Sequence, residues 1–245
     1  MASQTLRPLG ILCLEPEMAS PDSEEGAWIF VPRPGSMFHP ESFDRPVILE
    51  TIEGAWADIV IAGDPALEPA YIAAARRLID RGAMAITADC GFSIRHQRAV
   101  AAAVNVPVAL SSLLLVPTLL RLLPPAAKLA VVTADARHCG EDLLGLDDPA
   151  QRARVVIGGV EGGKLLQDAL ERPPLTTELP VIEAEAMDCI DRLRAAHPEI
   201  AAILFECTVF PVVTASIRRN TALPVYDTTD LCRLMIASVG REAAP

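Results

Sequence analysis

Cys90 and Cys207 stand in matching frames. Each follows a short apolar run, Ala83–Thr87 and Ile200–Phe205, and each is preceded by an acid, Asp89 and Glu206. Seventeen positions separate Cys90 from Pro107-Val108, and the same number separates Cys207 from Pro224-Val225. A hydroxyl pair then falls at a shared offset, Ser111-Ser112 in one frame and Thr228-Thr229 in the other. A chain that builds one cysteine-bearing unit twice can aim two thiols at a single substrate from opposite sides. Inversion at carbon needs that geometry: one thiolate removes the proton on Cα while the other thiol delivers a proton to the far face.

A free thiol is only a few per cent ionised at neutral pH, and a helix N-terminus lowers its pKa through unpaired N–H groups and the macrodipole. Cys90-Gly91-Phe92 predicts that setting, with Gly91 letting backbone N–H groups approach a ligand. Asp89 and Glu206 would oppose ionisation if they faced the sulfurs, but as terminal strand residues they can point to the other face. Charge developing on a substrate carboxylate would be met by N–H groups after each cysteine and by side-chain donors. Arg33, Gly91, Phe92, Ser111, Ser112, Thr133, Thr208 and Thr228 are the substrate-binding candidates. A pyridoxal cofactor needs a Schiff-base lysine. The chain offers only Lys128 and Lys164, opening a strand and following a glycine-rich stretch. Cofactor-free chemistry is the expectation.

Other features carry less. Gly158-Gly159 and Gly162-Gly163 around Glu161 match neither phosphate-loop spacing, and Glu161 would repel phosphate, so a turn is expected. His138-Cys139 follows Lys128–Thr133 closely enough to border the same cleft, although a packing role is the simpler reading. His96 is read as structural. The six cysteines have no CxxC pair and no metal-ligand spacing, so no metal is expected.

The elements that must hold these residues alternate. Strands are predicted at Leu9–Leu14, Pro46–Glu50, Asp58–Ala62, Ala83–Thr87, Val106–Leu110, Lys128–Thr133, Arg154–Ile157, Ile200–Phe205 and Leu223–Tyr226. A helix is predicted from an Asp64 cap and Pro65 to Gly82, with Leu67, Tyr71, Ala74 and Leu78 on one face. Continuously apolar strands alternating with helices argue for parallel sheets covered on both sides. The expected fold is therefore α/β, with two pseudo-symmetric lobes and the active site in the cleft between them. Residues 1–113 plus 222–245 form one lobe and 114–221 the other, and both cysteines lie at the carboxyl ends of strands, where ligands bind such sheets. The segment Glu15–Arg45 resists regular assignment. Its prolines and its apolar residues Trp28, Ile29, Phe30, Met37 and Phe38 predict an ordered loop or lid.

Bulk properties set the frame. The 245 residues are 51% apolar with a mean hydropathy of +0.32, as expected of a globular chain. A net charge of −11 disfavours nucleic acid, since phosphate neutralisation dominates that affinity. The longest apolar run, Leu110–Leu123, is too short to span a membrane and contains Pro117, and residues 1–15 do not read as a secretory signal. A soluble cytoplasmic enzyme on a small anionic substrate is expected, with a symmetric homodimer a common assembly at this size.

Thr87-Ala88-Asp89-Cys90-Gly91-Phe92 and Leu204-Phe205-Glu206-Cys207-Thr208 resemble the paired cysteine motifs of the aspartate/glutamate racemase superfamily. Val106–Leu113, Ala130–Ala134 and Arg33-Pro34-Gly35 resemble it too, so the likeness covers roughly residues 9 to 240. It implies two pseudo-symmetric α/β lobes and cofactor-independent racemisation or epimerisation beside a carboxylate, with Cys90 and Cys207 as the acid/base pair. Two positions depart from the amino-acid racemases. Val209 stands where His or Glu is usual, and Gly91-Phe92 where Asn-Thr is usual, which argues against an ordinary aspartate or glutamate substrate. The superfamily also contains hydantoin racemases, maleate isomerases, which keep both cysteines, and arylmalonate decarboxylases, which keep only the second. An isomerase or lyase using nucleophilic or proton-donating cysteine is thus the alternative, ahead of a non-catalytic binding protein.

Overall fold

The computed structural model describes residues 6–15 and 32–239. Pro16, Pro21, Gly26, Trp28, Ile29 and Phe30 of the expected loop lie outside the described residues. Among the described residues, eight strands form two four-stranded parallel sheets. The first sheet holds β1 (Leu9–Cys13), β2 (Val47–Thr51), β3 (Ala85–Ala88) and β4 (Val108–Ala109) in the order β2-β1-β3-β4. The second holds β5 (Lys128–Thr133), β6 (Val155–Gly159), β7 (Ile200–Phe205) and β8 (Val225–Tyr226) in the order β6-β5-β7-β8. The two orders are the same topology repeated. Each sheet is parallel throughout, and a helix or 3-10 turn stands between every two successive strands, among the described residues only the turn Pro40–Ser42 between β1 and β2.

The repeat carries its own buttresses. Seven residues after Cys90, Gln97 bonds both the carbonyl of Val108 and the N–H of Leu110. Seven after Cys207, Thr214 bonds the carboxylate of Asp227, which caps the helix Thr228–Ser238. In both units the side chain after the cysteine turn fixes the end of the next strand.

The lobes are not independent bodies. One apolar cluster runs from Leu12 and Ile86 of the first sheet through Leu113 and Val116 to Leu129 and Leu204 of the second. The helix Val116–Leu122 leaves β4 to pack on the second lobe, where Ser112 Oγ donates to the carbonyl of Phe205 at 2.7 Å. The helix Thr228–Ser238 crosses the other way, placing Leu231, Cys232 and Met235 against Leu9, Ile11 and Met84. β8 pairs with β7, so Val225 and Tyr226 belong to the second sheet, and the chain crosses to the first lobe with the helix that follows.

One expected strand is a helix. Asp58–Ala62 lies within a helix, Ala57–Ala62, closed by Gly63 in the left-handed conformation at φ 79°. Its β-branched run Ile59-Val60-Ile61 reads as a strand by composition. In the structure it is one short turn that buries Val60 and Ile61 and turns Asp58 outward. The Asp64 cap is as expected, accepting from the N–H of Ala66 at 2.9 Å. A 3-10 turn then leads into the helix Glu68–Asp80, with Leu67, Tyr71, Ala74 and Leu78 buried.

Candidate active site

Both cysteines stand at strand ends facing one cavity. Cys90 follows β3 and caps the 3-10 turn Gly91–His96, and Cys207 follows β7 ahead of the 3-10 turn Phe210–Val212. A cavity of about 150 Å³ is walled by both thiols together with Asp89, Glu206, Arg33 and Thr208. Apolar side chains make up most of the remaining wall, among them Phe38, Phe92, Leu165 and Leu166.

The two cysteine turns touch. Thr208 Oγ1 donates to the carbonyl of Asp89, tying the second turn to the end of β3. Gly91 lies over Glu206 so closely that a Cβ there would fall 2.6 Å from Glu206 Cδ, and nearer still to the carbonyl oxygen and Oε1. Gly91 is required by this approach, not by its φ, which is not in the left-handed region.

The electrostatics reverse one expectation. Burial pushes the Cys90 thiol well above its ordinary value, helped by the charges of Glu206 and Asp89. Burial and then Glu206 push Cys207 up to about 12. The expected helix-terminus lowering is present but outweighed. The Phe92 N–H acts on Cys90, whereas the N–H groups of Val209 and Phe210 both act on Cys207. Glu206 is buried and Asp89 half-buried, and desolvation raises each to about 7. Asp89 accepts from the N–H of Leu14 through both oxygens at 3.1 Å, and Glu206 Oε2 accepts from Thr133 Oγ1 at 2.7 Å.

The other candidates divide. Arg33 reaches the cavity and donates from Nη1 to the carbonyl of Thr177 at 2.9 Å. Phe92 and Thr208 line the wall. Thr133 is not among the wall residues and donates to Glu206 Oε2. Ser111, Ser112 and Thr228 are buried off the cavity: Ser111 caps the turn Ser112–Leu115, Ser112 holds Phe205, and Thr228 lies beside Cys232. His138 bonds Asp135 at 3.1 Å and Cys139 is buried, neither on the cavity wall, while His96 stacks on Tyr71 at 4.2 Å. Gly158 packs against Cys189 and Leu193, a close strand–helix contact. Lys128 pairs with Glu199 at 2.6 Å and Lys164 with Asp168 at 2.7 Å.

Sequence reasoning missed the roof. Pro174, Leu175, Thr176 and Thr177 cover the cavity from the second lobe. The preceding Arg172 crosses to the first lobe, donating to both oxygens of Asp58 at 2.7 and 2.8 Å and lying 4.8 Å over the Trp56 ring. The cis bond Arg172-Pro173 and two adjacent prolines mark the segment, but nothing in its composition announces a binding role.

Dimethylsulfoniopropionate lyase from Durusdinium sp. clade D is 32% identical over 214 residues, spanning 82% of this chain and 68% of that protein. The chain belongs to the dimethylsulfoniopropionate lyase family. Dimethylsulfoniopropionate lyase 6 of Emiliania huxleyi is 27% identical over 225 residues, covering 86% of this chain but 57% of that protein, so the chain spans little more than half of that relative. No family model matches the chain. Among solved structures, a liganded double mutant of arylmalonate decarboxylase covers 97% of this chain and 96% of its own, with TM-score 0.57 and 18% identity. Aspartate racemase from Picrophilus torridus gives 0.56 at 15% identity, over 97% and 96% of the two chains. Glutamate racemase from Francisella tularensis, in complex with D-glutamate, gives 0.53 at 15%, over 97% and 84%. The fold is that of the aspartate/glutamate racemase superfamily, two-lobed and α/β. Among the described residues, no helix is long and apolar enough to cross a membrane.

Proposed function

We propose that the chain is a cofactor-independent lyase acting on a small carboxylate with a sulfonium leaving group, of which dimethylsulfoniopropionate is the example its relatives' names supply. The observation that carries this reading is the pair of thiols, Cys90 and Cys207, on the wall of one largely apolar cavity.

Elimination needs less than inversion. A base takes a proton from the carbon beside the carboxylate, the C–H electron pair becomes a C=C bond, and the C–S bond breaks to release neutral dimethyl sulfide and acrylate. Cys207 is the better base, because two backbone N–H groups support its thiolate where one supports that of Cys90. Cys90 then remains a thiol, placed to donate a hydrogen bond to the carboxylate as charge builds on it, with Arg33 the cation on the wall. The apolar wall excludes water, which strengthens each of these interactions. Phe38 and Phe92 put aromatic rings in the wall, and aromatic rings attract cations such as a sulfonium.

Inversion by the same two thiols is the second reading, favoured by the pseudo-symmetry of the cysteine frames. Incubation in D2O separates the two. A lyase releases acrylate and dimethyl sulfide in equal amounts. A racemase returns a chiral carboxylate inverted and labelled at Cα with no sulfide. Absence of sulfide release from dimethylsulfoniopropionate would overturn the lyase reading.

A further inference from the structure

The elimination as written leaves one buried group on the cavity wall unused. Glu206 is 1% exposed, and its Oε2 is held by Thr133. Its Oε1 finds no hydrogen-bond partner among the described residues. That oxygen lies against Gly91, so a carboxyl carried beside Cys207 abuts the residue that follows Cys90. A buried polar atom left without a partner is rare in a folded protein and calls for a reason. Asp89, its counterpart in the first frame, gives none: both of its oxygens are occupied by the N–H of Leu14.

We propose that Glu206 is the third proton-handling group of this site, its Oε1 taking the proton that a thiol gives up, so that a thiolate forms without adding a second negative charge to the cavity. The proposal rests on the lyase reading through the role given there to the thiols. The S–H bond of Cys207 breaks, its electron pair stays on sulfur, and an O–H bond forms at Oε1; one negative charge moves from carboxylate to sulfur and nothing is oxidised. When sulfur then takes the substrate's α-proton, the site holds a thiol and a carboxylic acid. Loss of the Oε1 proton to solvent restores the carboxylate. That proton is the one the overall reaction must release, since the zwitterionic substrate yields neutral sulfide, acrylate anion and a proton.

The surroundings agree. Burial raises the Glu206 carboxyl to about 7, so both of its forms are present near neutrality. The groups whose charges meet it or its thiols are Asp89 at the end of β3, Cys90 and Cys207 themselves, buried Cys139, and Arg95. Arg95 is committed elsewhere, donating to the carbonyl of His138 at 2.8 Å. Among the described residues Thr133 is the one direct donor to the carboxyl, and it favours the ionised form.

Iodoacetamide alkylation of Cys90 and Cys207 followed from pH 5 to 10 tests this without requiring turnover. In Glu206→Gln the carboxylate's repulsion is gone, so alkylation of Cys207 at pH 8 rises by about threefold or more and the inflection near pH 7 in its curve disappears. In Thr133→Val the acid form is favoured, and the inflection moves to higher pH. Asp89→Asn keeps the inflection. Curves of Glu206→Gln that superimpose on wild type would overturn the assignment; if that variant does not fold, an unmoved inflection in Thr133→Val does so. Sulfide release supplies the separate readout. If wild type releases none while the alkylation curves shift as stated, the lyase reading fails and the assignment of Glu206 stands.

Discussion

Gly91→Ala is the sharpest perturbation of the contact between the two cysteine turns. A Cβ at residue 91 would lie 2.6 Å from Glu206 Cδ, whereas ordinary contact begins at 3.4 Å, and it would meet the backbone carbonyl of Glu206 more closely still. A side-chain end could swing aside, but a carbonyl at the end of β7 cannot, so the turns must part by about 1 Å. Overpacking of this kind costs about 1–3 kcal/mol. A displacement near 1 Å between reacting groups costs about a hundredfold in rate. Gly91→Ala should therefore lose about two orders of magnitude in kcat for acrylate release while still folding, with a lowered urea midpoint. Gly82→Ala is the control: its φ of 87° strains any side chain, yet no described atom lies within 4 Å of the added Cβ. It should lose about 1–2 kcal/mol of stability and keep its kcat. Wild-type kcat and stability in Gly91→Ala would refute the close approach of the two turns.

Further outcomes follow from the same geometry. Arg172→Ala frees the roof from Asp58 and Trp56; an exposed ion pair and a cation–π contact together contribute about 1 kcal/mol, so KM should rise about fivefold with kcat little changed, and added salt should raise the wild-type KM in the same direction. An unchanged KM at low salt would show that the roof needs no latch. Asp89 and Glu206 bind protons more tightly folded than unfolded, so their contribution is full below the unfolded carboxylate value and is lost as pH rises through about 7. Urea unfolding should thus show lower stability at pH 8.5 than at pH 5.5, with a smaller difference in Asp89→Asn. Mild alkylation of the native protein should label Cys90 and Cys207 first, since Cys13, Cys139, Cys189 and Cys232 are buried; early labelling of any of those four, read by peptide mass, would contradict their placement.

Much of this architecture is written in short apolar runs. β5 and β7 have the bounds their sequences predict because Lys128–Thr133 and Ile200–Phe205 are apolar, β-rich and bounded by turn residues. Asp58–Ala62 misleads because the same β-branched composition suits one buried helical turn, and only the Gly63 terminus distinguishes it. The shared offsets of the cysteine frames recur in space as the same strand order twice. The chemistry around the thiols was less legible. Strand alternation does not settle where a terminal residue points, so the approach of Glu206 to the first cysteine turn appears only when the lobes meet. The thiol environment was also hidden, because a local N–H donor is visible in sequence while the burial that outweighs it comes from both lobes at once. The roof at residues 174–177 belongs to a segment whose composition describes only a loop.

The most direct test is product formation from dimethylsulfoniopropionate by the purified chain and its Cys90→Ala and Cys207→Ala variants. Wild type should release dimethyl sulfide and acrylate in a one-to-one ratio with no added cofactor, and each variant should lose a hundredfold or more while remaining folded. Undiminished turnover in either variant, or no sulfide from wild type, would contradict a lyase built on two thiols facing one cavity.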